Sequence, residues 1–306
     1  MNREQRLMLL YCEENVHAGA GSSTGTIDLP IQRESHTGYP KIESSSLRGA
    51  IRESIKDSIS NNEKSKFESV FGNWDNGDQQ SAIDFPDAKL LLFPVRSFKG
   101  VFAWITCPMV LNRFKKDCLN WFGIDLGYTI SDFENNEIIT ISDSLLELPN
   151  DENKEVLLEE FLFKKTNKQS IPKINEQEFG TWLSNQYNIG GTIAPGLISH
   201  INSKLAIISD DVFRDFVQLY TVKITRNRIN PESGTADGNG LFNEEFLPSE
   251  SILYSFALTT NEFKKDGISA AEAMTFFVGK FSKLFRLGGD KGIGKGLIRQ
   301  SLVNGI

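Results

Sequence analysis

Hydrophobic positions recur along this chain with two periods. In residues 220–225, Tyr220, Val222 and Ile224 alternate with Thr221, Lys223 and Thr225, and in 252–258, Ile252, Tyr254, Phe256 and Leu258 alternate with Leu253, Ser255 and Ala257. A period of two is that of a strand, so both segments are predicted as strands. Shorter apolar runs at 6–12, 89–94 and 101–105 read the same way. After Pro40 the period changes. Leu47, Ala50, Ile51, Ile55 and Ile59 make the stripe of an amphipathic helix, with Ser44, Ser45 and Ser46 expected to cap its start. Ser269 and Glu272 have the spacing of a capping box, ahead of Ala270, Ala271, Met274, Phe277, Val278, Phe281 and Phe285. A helix is predicted there, with Gly288 and Gly289 placed to close it.

Between the two clear strands, residues 226–248 are too rich in Gly, Asn and Pro for a helix, and a protruding hairpin fits them. Loops beyond about 12–15 residues inside a compact domain are usually functional or disordered, so this one calls for a reason. Two further loops are made of small residues: 17–25, after the first strand, and 287–296, before the last apolar run. Residues 61–188 carry the weakest pattern, and no internal repeat accompanies any segment.

A length of 306 residues with 39% hydrophobic content fits one large or two modest globular domains, and excludes disorder and collagen-like repeats. Cys12, Cys107 and Cys118 are odd in number and lack C-x-x-C spacing, which supports neither a disulfide framework nor a zinc site and points to a reducing, cytoplasmic setting. No run approaches the ~18 apolar residues of a membrane span.

Charge changes the picture more. The formal net charge of −7 argues against a polyanionic partner, yet residues 131–180 alone hold twelve acids against five lysines. The rest of the chain is therefore neutral. Residues 280–300 carry Lys280, Lys283, Arg286, Lys291, Lys295 and Arg299 against Asp290 alone, interleaved with glycines and two phenylalanines. That segment is either a basic nucleic-acid contact or a solvated face. Arg48 and Arg52, four apart, share one helix face near its N-terminus, which suits either a phosphate clamp or an exposed basic surface.

Gly289-Asp-Lys-Gly-Ile-Gly294-Lys295 has the G-x-x-x-x-G-K spacing of a phosphate-binding loop, but Gly296 stands where a nucleotide hydrolase needs Ser or Thr for Mg²⁺. An NTPase is excluded. Loop N–H groups with Lys291 or Lys295 remain candidates to hold a polynucleotide phosphate. Residues 17–25 miss a dinucleotide fingerprint by one position. The three histidines, His17, His36 and His200, form no readable triad. Asp28 follows the first glycine loop, between Ile27 and Leu29-Pro30 and close to Arg33. An unperturbed aspartate, with a pKa near ~3.9, is a poor general base at neutral pH but suits orienting a 2′-hydroxyl or holding hydrated Mg²⁺.

Taken in order, several segments resemble one family closely: the backbone subunits of type III-B CRISPR effector complexes, the fourth Cmr protein in the Cas-seven group of the RAMP superfamily. They are His17 to Gly21; Ile27 to Glu34; Thr37-Gly-Tyr-Pro40; Ser44-Ser-Ser-Leu-Arg-Gly-Ala50; Pro94-Val-Arg-Ser97; Val101-Phe-Ala-Trp104; Pro231 to Ala236; Leu241-Phe242; Glu244-Glu-Phe-Leu-Pro248; and the loop Gly288 to Gly296. Two places depart from the family: Glu43 or Ser44 stands where a glycine is usual, and Arg48 where a lysine is common.

The resemblance implies an α+β fold in one domain over 1–306, an RRM-like (ferredoxin-like) palm with fingers inserted at about 61–188 and a thumb hairpin at 226–248. It implies a metal-dependent endoribonuclease that works within a complex, cutting guide-paired target RNA at regular intervals. Asp28 is then the essential catalytic residue and a possible metal ligand for Mg²⁺ or Mn²⁺ carried with the RNA, with His17, Glu244 or Glu245 assisting. Ser45, Ser46, Arg48, Arg52, Arg226, Arg228, Gly289, Lys291 and Lys295 become candidate RNA contacts. The implied partners are guide RNA, target RNA, further copies of this chain and other Cmr subunits, including the large polymerase-like and the small subunit. Two other readings stay open: a purely structural RNA-binding scaffold, and the equivalent subunit of a Csm-type complex.

Overall fold

The computed structural model describes residues 3–73, 80–149, 154–187, 196–229, 232–262 and 267–304, with the backbone alone at 228, 229 and 236–239. Its centre is a nine-stranded sheet among these residues. The spatial order is Leu205–Ile207, Phe102–Thr106, Ala88–Arg96, Ile252–Thr260, Arg3–Cys12, Leu297–Val303 and Leu284–Arg286, with Lys41–Ile42 and Ile83–Asp84 added alongside. Arg3–Cys12 lies antiparallel to strands from late in the chain on both sides, Tyr11 opposite Ile252 on one and Leu7 opposite Val303 on the other. Leu7 through Cys12 are all buried. Such a strand is covered on both faces, which is why its sequence is a continuous apolar run. The same holds for Ile252–Thr260, where even Ser255 is buried and donates to Pro86 O at 2.7 Å. Its alternation is therefore not one of core with solvent.

The helix Ser44–Lys56 buries the predicted stripe of Leu47, Ala50, Ile51 and Ile55. Its cap departs from expectation: Glu43 is the N-cap residue and no side chain of that residue caps it. Asp87 Oδ1 accepts from Ser44 N at 2.8 Å, and Ser46 Oγ accepts from Gln32 Nε2 at 3.0 Å. A carboxylate from elsewhere in the chain thus satisfies the helix end, with the charge the macrodipole favours. The helix Ala270–Lys280 opens on the Ser269–Glu272 capping box but ends at Phe281, well before Gly288. Phe281 and Phe285 are buried with their rings 5.1 Å apart, and Phe285 sits in the edge strand Leu284–Arg286. Burying an aromatic ring is worth roughly 1.5–3 kcal/mol, more than another helical turn returns.

The chain is a mixed α and β fold. Segment 61–188 supplies three strands of the central sheet, Ile83–Asp84, Ala88–Arg96 and Phe102–Thr106, as well as elements outside it. The acidic section forms a small sheet of Glu137–Ile138, Phe161–Lys165 and Glu155–Leu158, bridged to the main body at Ile139–Ile207 and Ser97–Leu158. Part of its charge is paired, Glu147 with Lys165 and Glu137 with Lys168. The Gly- and Asn-rich stretch is an antiparallel ribbon of Val222–Ile229 and Ala236–Phe246, with Val222 opposite Phe246 and Arg226 opposite Phe242.

Candidate functional site

Where the first strand ends at Cys12, the chain enters a long loop that threads between the ribbon's base and the 287–296 loop. Backbone pairing fixes its path: Val16 bridges Leu247, Leu29 runs parallel to Glu244, Gly289 N donates to His17 O at 2.9 Å, and Gly296 N donates to Asn15 O at 2.9 Å. Gly288 has φ +86°, and a Cβ on it would stand 2.3 Å from His17 O. The glycine pair therefore serves this close crossing and not a helix end.

Asp28 is exposed on this loop, beside the ribbon. Its Oδ2 accepts from Asn243 N at 2.7 Å, while Leu29 N donates to Asn243 O and Glu245 N to Leu29 O, each at 3.0 Å. A carboxylate held from one side by a single backbone N–H keeps its other oxygen toward solvent. His17 lies behind, with Nδ1 2.7 Å from Glu245 O, Nε2 3.7 Å from Glu244 Oε1, and its ring 5.6 Å from Phe246. A Cβ at position 19 would come 2.7 Å from His17 Nε2, so the glycine leaves room for the imidazole.

The two adjacent glutamates face opposite sides of their strand, as strand geometry requires. Glu245, 1% exposed, is fully engaged: Arg33 Nη2 and Thr221 Oγ1 donate to its Oε1 at 2.6 and 2.7 Å, and Ile31 N donates to its Oε2 at 3.1 Å. It fastens the loop to the ribbon's foot. Glu244, 4% exposed, contacts Arg226 Nε at 3.2 Å, and the same guanidinium reaches Asp290 Oδ2 at 2.8 Å. Burial and the neighbouring Asp290 carboxyl push the Glu244 pKa up, against the pull of His17 and Arg226.

The remaining sequence candidates divide. Lys291 is exposed; Lys295 Nζ and the Arg226 guanidinium lie 5.8 and 5.5 Å over the Phe246 ring. Arg228 is described in its backbone only. Ser45 is exposed in the first helical turn. Arg48 and Arg52 form no clamp at the helix start: Arg48 donates to Phe71 O, the end of the helix Lys64–Phe71, and Arg52 lies 5.2 Å over Phe67. Several of the loop amides are already committed. Those of Gly289, Ile293, Gly294, Lys295 and Gly296 all donate to backbone carbonyls. Two residues that sequence reasoning passed over join the site, Asn243 through its backbone N–H and Asp290 through Arg226. Asp290 did have a signal, as the lone acid of a basic loop.

Among the described residues no group of three or more His, Cys, Asp or Glu side chains is set to hold a metal ion, and none of the helices is long and apolar enough to cross a membrane. Asp28 offers one open carboxylate. That fits a hard cation held chiefly by phosphate oxygens, since Mg²⁺ commonly takes one or two carboxylates plus substrate.

A family model, the RAMP superfamily, matches residues 9–299. The CRISPR system Cmr endoribonuclease Cmr4 of Pyrococcus furiosus is 37% identical, over 97% of this chain and 95% of that protein. The CMR subunit Cmr4 of Saccharolobus solfataricus is 26% identical, over 95% of this chain and 94% of that protein. A crystal structure of oligomeric Cmr4 from Pyrococcus furiosus superposes with a TM-score of 0.70 at 28% identity, covering 99% of both chains. A cryo-EM structure of a type III-B Cmr-beta complex bound to cognate target RNA superposes at 0.71 over 98% of this chain and 97% of the other, with 21% identity, a likeness of fold.

Proposed function

Since this chain belongs to the RAMP superfamily and, within it, to the family of Cmr4 proteins, we propose that it is the endoribonuclease subunit of a type III-B Cmr complex, in which several copies line a guide RNA and cut the paired target. The central sheet is the RRM-like palm, the Val222–Ile229/Ala236–Phe246 ribbon is the thumb, and Asp28 at the thumb's foot is the catalytic carboxylate. One observation carries this reading: Asp28 presents an exposed carboxylate on backbone locked to the ribbon base, while the glutamates beside it are buried and partnered.

In-line attack by the RNA's own 2′-oxygen, its proton passing to solvent, forms the new O–P bond and breaks the bond to the 5′-oxygen, which takes a proton from solvent and leaves as a hydroxyl, with a 2′,3′-cyclic phosphate on the other product. The chain has only to hold the splayed nucleotide in line and stabilise charge. Asp28 orients the 2′-hydroxyl. A divalent cation, Mg²⁺ or Mn²⁺, would be held by Asp28 with RNA phosphate oxygens and would supply neutralising charge there. Glu245 positions the loop that carries Asp28, and His17 and Glu244 form its backing. Lys291, Lys295 and Ser45 supply the phosphate contacts, Arg226 ties Glu244 to Asp290, and the large and small Cmr subunits complete the assembly.

The test is cleavage of guide-complementary RNA by reconstituted complex, wild type against Asp28→Asn, with and without Mg²⁺, beside a binding assay. Regular cuts lost in the variant with binding kept are the expected result. Binding without cuts in either protein would make this chain a scaffold.

A further inference from the structure

One segment that helped to carry the family likeness has no part in the site just described: the turn joining Ala88–Arg96 to Phe102–Thr106. Phe98 is 73% exposed and Val101 80% exposed at its tip. Val101 adopts φ +74°, directly after Gly100 at φ +76°. A β-branched residue there is a genuine backbone outlier, and such strain persists only where surroundings over-determine it. Here they do. Ser97 N donates to Val101 O and Phe98 N to Leu157 O, each at 3.0 Å, and a Cβ on Gly100 would stand 3.1 Å from Leu145 O. The turn is thus a rigid mount that holds an aromatic ring out in water.

Three cations and two carboxylates lie on and around this turn. The Arg96 guanidinium is 83% exposed and fixed at 2.8 Å to Glu159, itself 5% exposed; Lys99 is exposed; Lys204 Nζ sits 4.5 Å over Phe102. Glu160, the other carboxylate of the facing turn, is engaged with Tyr220. The tip also stands at the functional end of the sheet. Leu92 and Tyr11 both lie opposite Ile252, and from there the strand runs on to Arg96 just as the first strand runs on to the Asp28 loop. Trp104 Nε1 ties the return strand to Glu250 O at 2.7 Å, close to the ribbon's exit.

We propose that the Arg96–Val101 tip is a second RNA contact, in which Phe98 stacks on an unpaired nucleobase and Lys99, with Arg96 and Lys204 nearby, meets the flanking phosphates. Single-stranded nucleic acid is recognised by this combination of an exposed aromatic face and cations along the backbone. The assignment rests on the RNA-binding reading above, and its test separates the two.

The complex is assembled on guide RNA, with guide and target carrying 4-thiouridine, and is irradiated and mapped by mass spectrometry. RNA affinity and self-association are measured in parallel for wild type, Phe98→Ala, Phe98→Trp and Lys99→Ala. The expected result is a crosslink on the Phe98 peptide, affinity lowered about tenfold by Phe98→Ala and restored by Phe98→Trp. Lys99→Ala should lower the salt slope by about 0.7. Unchanged RNA affinity in Phe98→Ala overturns the tip assignment alone, and with weakened self-association it makes the tip a protein contact. Wild type that retains no RNA overturns the RNA reading as a whole, whereas loss of cutting by Asp28→Asn leaves the tip unaffected.

Discussion

Asp28 and Glu245 meet at one place, where the loop pairs with the ribbon, yet they are opposite kinds of carboxylate. Glu245 is buried with a guanidinium, a hydroxyl and a backbone N–H on its two oxygens. Asp28 is exposed and takes one backbone N–H. A buried carboxylate that already accepts three hydrogen bonds is poorly placed to take one from a substrate, so Glu245 is the fastener, while Asp28 keeps acceptor capacity open to solvent. The same contrast separates Arg48, committed to Phe71 O, from Lys291, which faces water.

The largest effect that sharpens this contrast is on rate. Asp28→Asn should lower target cleavage about 10²-fold or more, the scale of one lost polar group at a reacting centre, while the melting temperature stays put. A variant that melts early would make Asp28 another fastener. Glu245→Ala should do the reverse, lowering stability by about 3 kcal/mol in a denaturant titration because the Arg33 guanidinium loses its partner in a mostly buried place. Cutting with stability intact would break the comparison.

For the cations, Lys291→Ala should reduce the log–log salt slope of RNA binding by about 0.7, whereas Arg48→Ala should leave that slope alone and lower stability instead. Equal slopes in both would erase the distinction. The smallest effect concerns Glu250, whose pKa burial pushes up to about 7. An acid with a raised folded-state pKa is stabilising to the fold while protonated, and costs stability as pH rises from its ordinary value of 4.5 through 7. With solvent screening of this half-buried group, Glu250→Gln should raise stability by about 1 kcal/mol at pH 8 and by nothing at pH 4. Urea melts at the two pH values would read it.

What the sequence made legible is what neighbouring residues decide. The stripe from Leu47 to Ile55 and the Ser269–Glu272 box are separated by a turn or two, and both stand in the structure. What it hid is settled by residues far apart in the chain. Asp87 caps Ser44, Phe71 O captures Arg48, His17 O takes the Gly289 amide that looked available to phosphate, and Phe285 leaves the helical stripe for a strand. The exposed Asp28 was visible through family likeness; its support by Asn243 N and the link from Arg226 to Asp290 were not, because the ribbon's register sets both.

The first strand also imposes an order on synthesis. Arg3–Cys12 leaves the ribosome early, but both of its neighbours, Ile252–Thr260 and Leu297–Val303, are made near the end, as are the loops that grip His17 and Asn15. Contacts so distant in sequence make folding slow and leave apolar segments waiting. A nascent chain therefore carries the Asp28 loop for most of its translation before the ribbon and the last strands that hold it have been made.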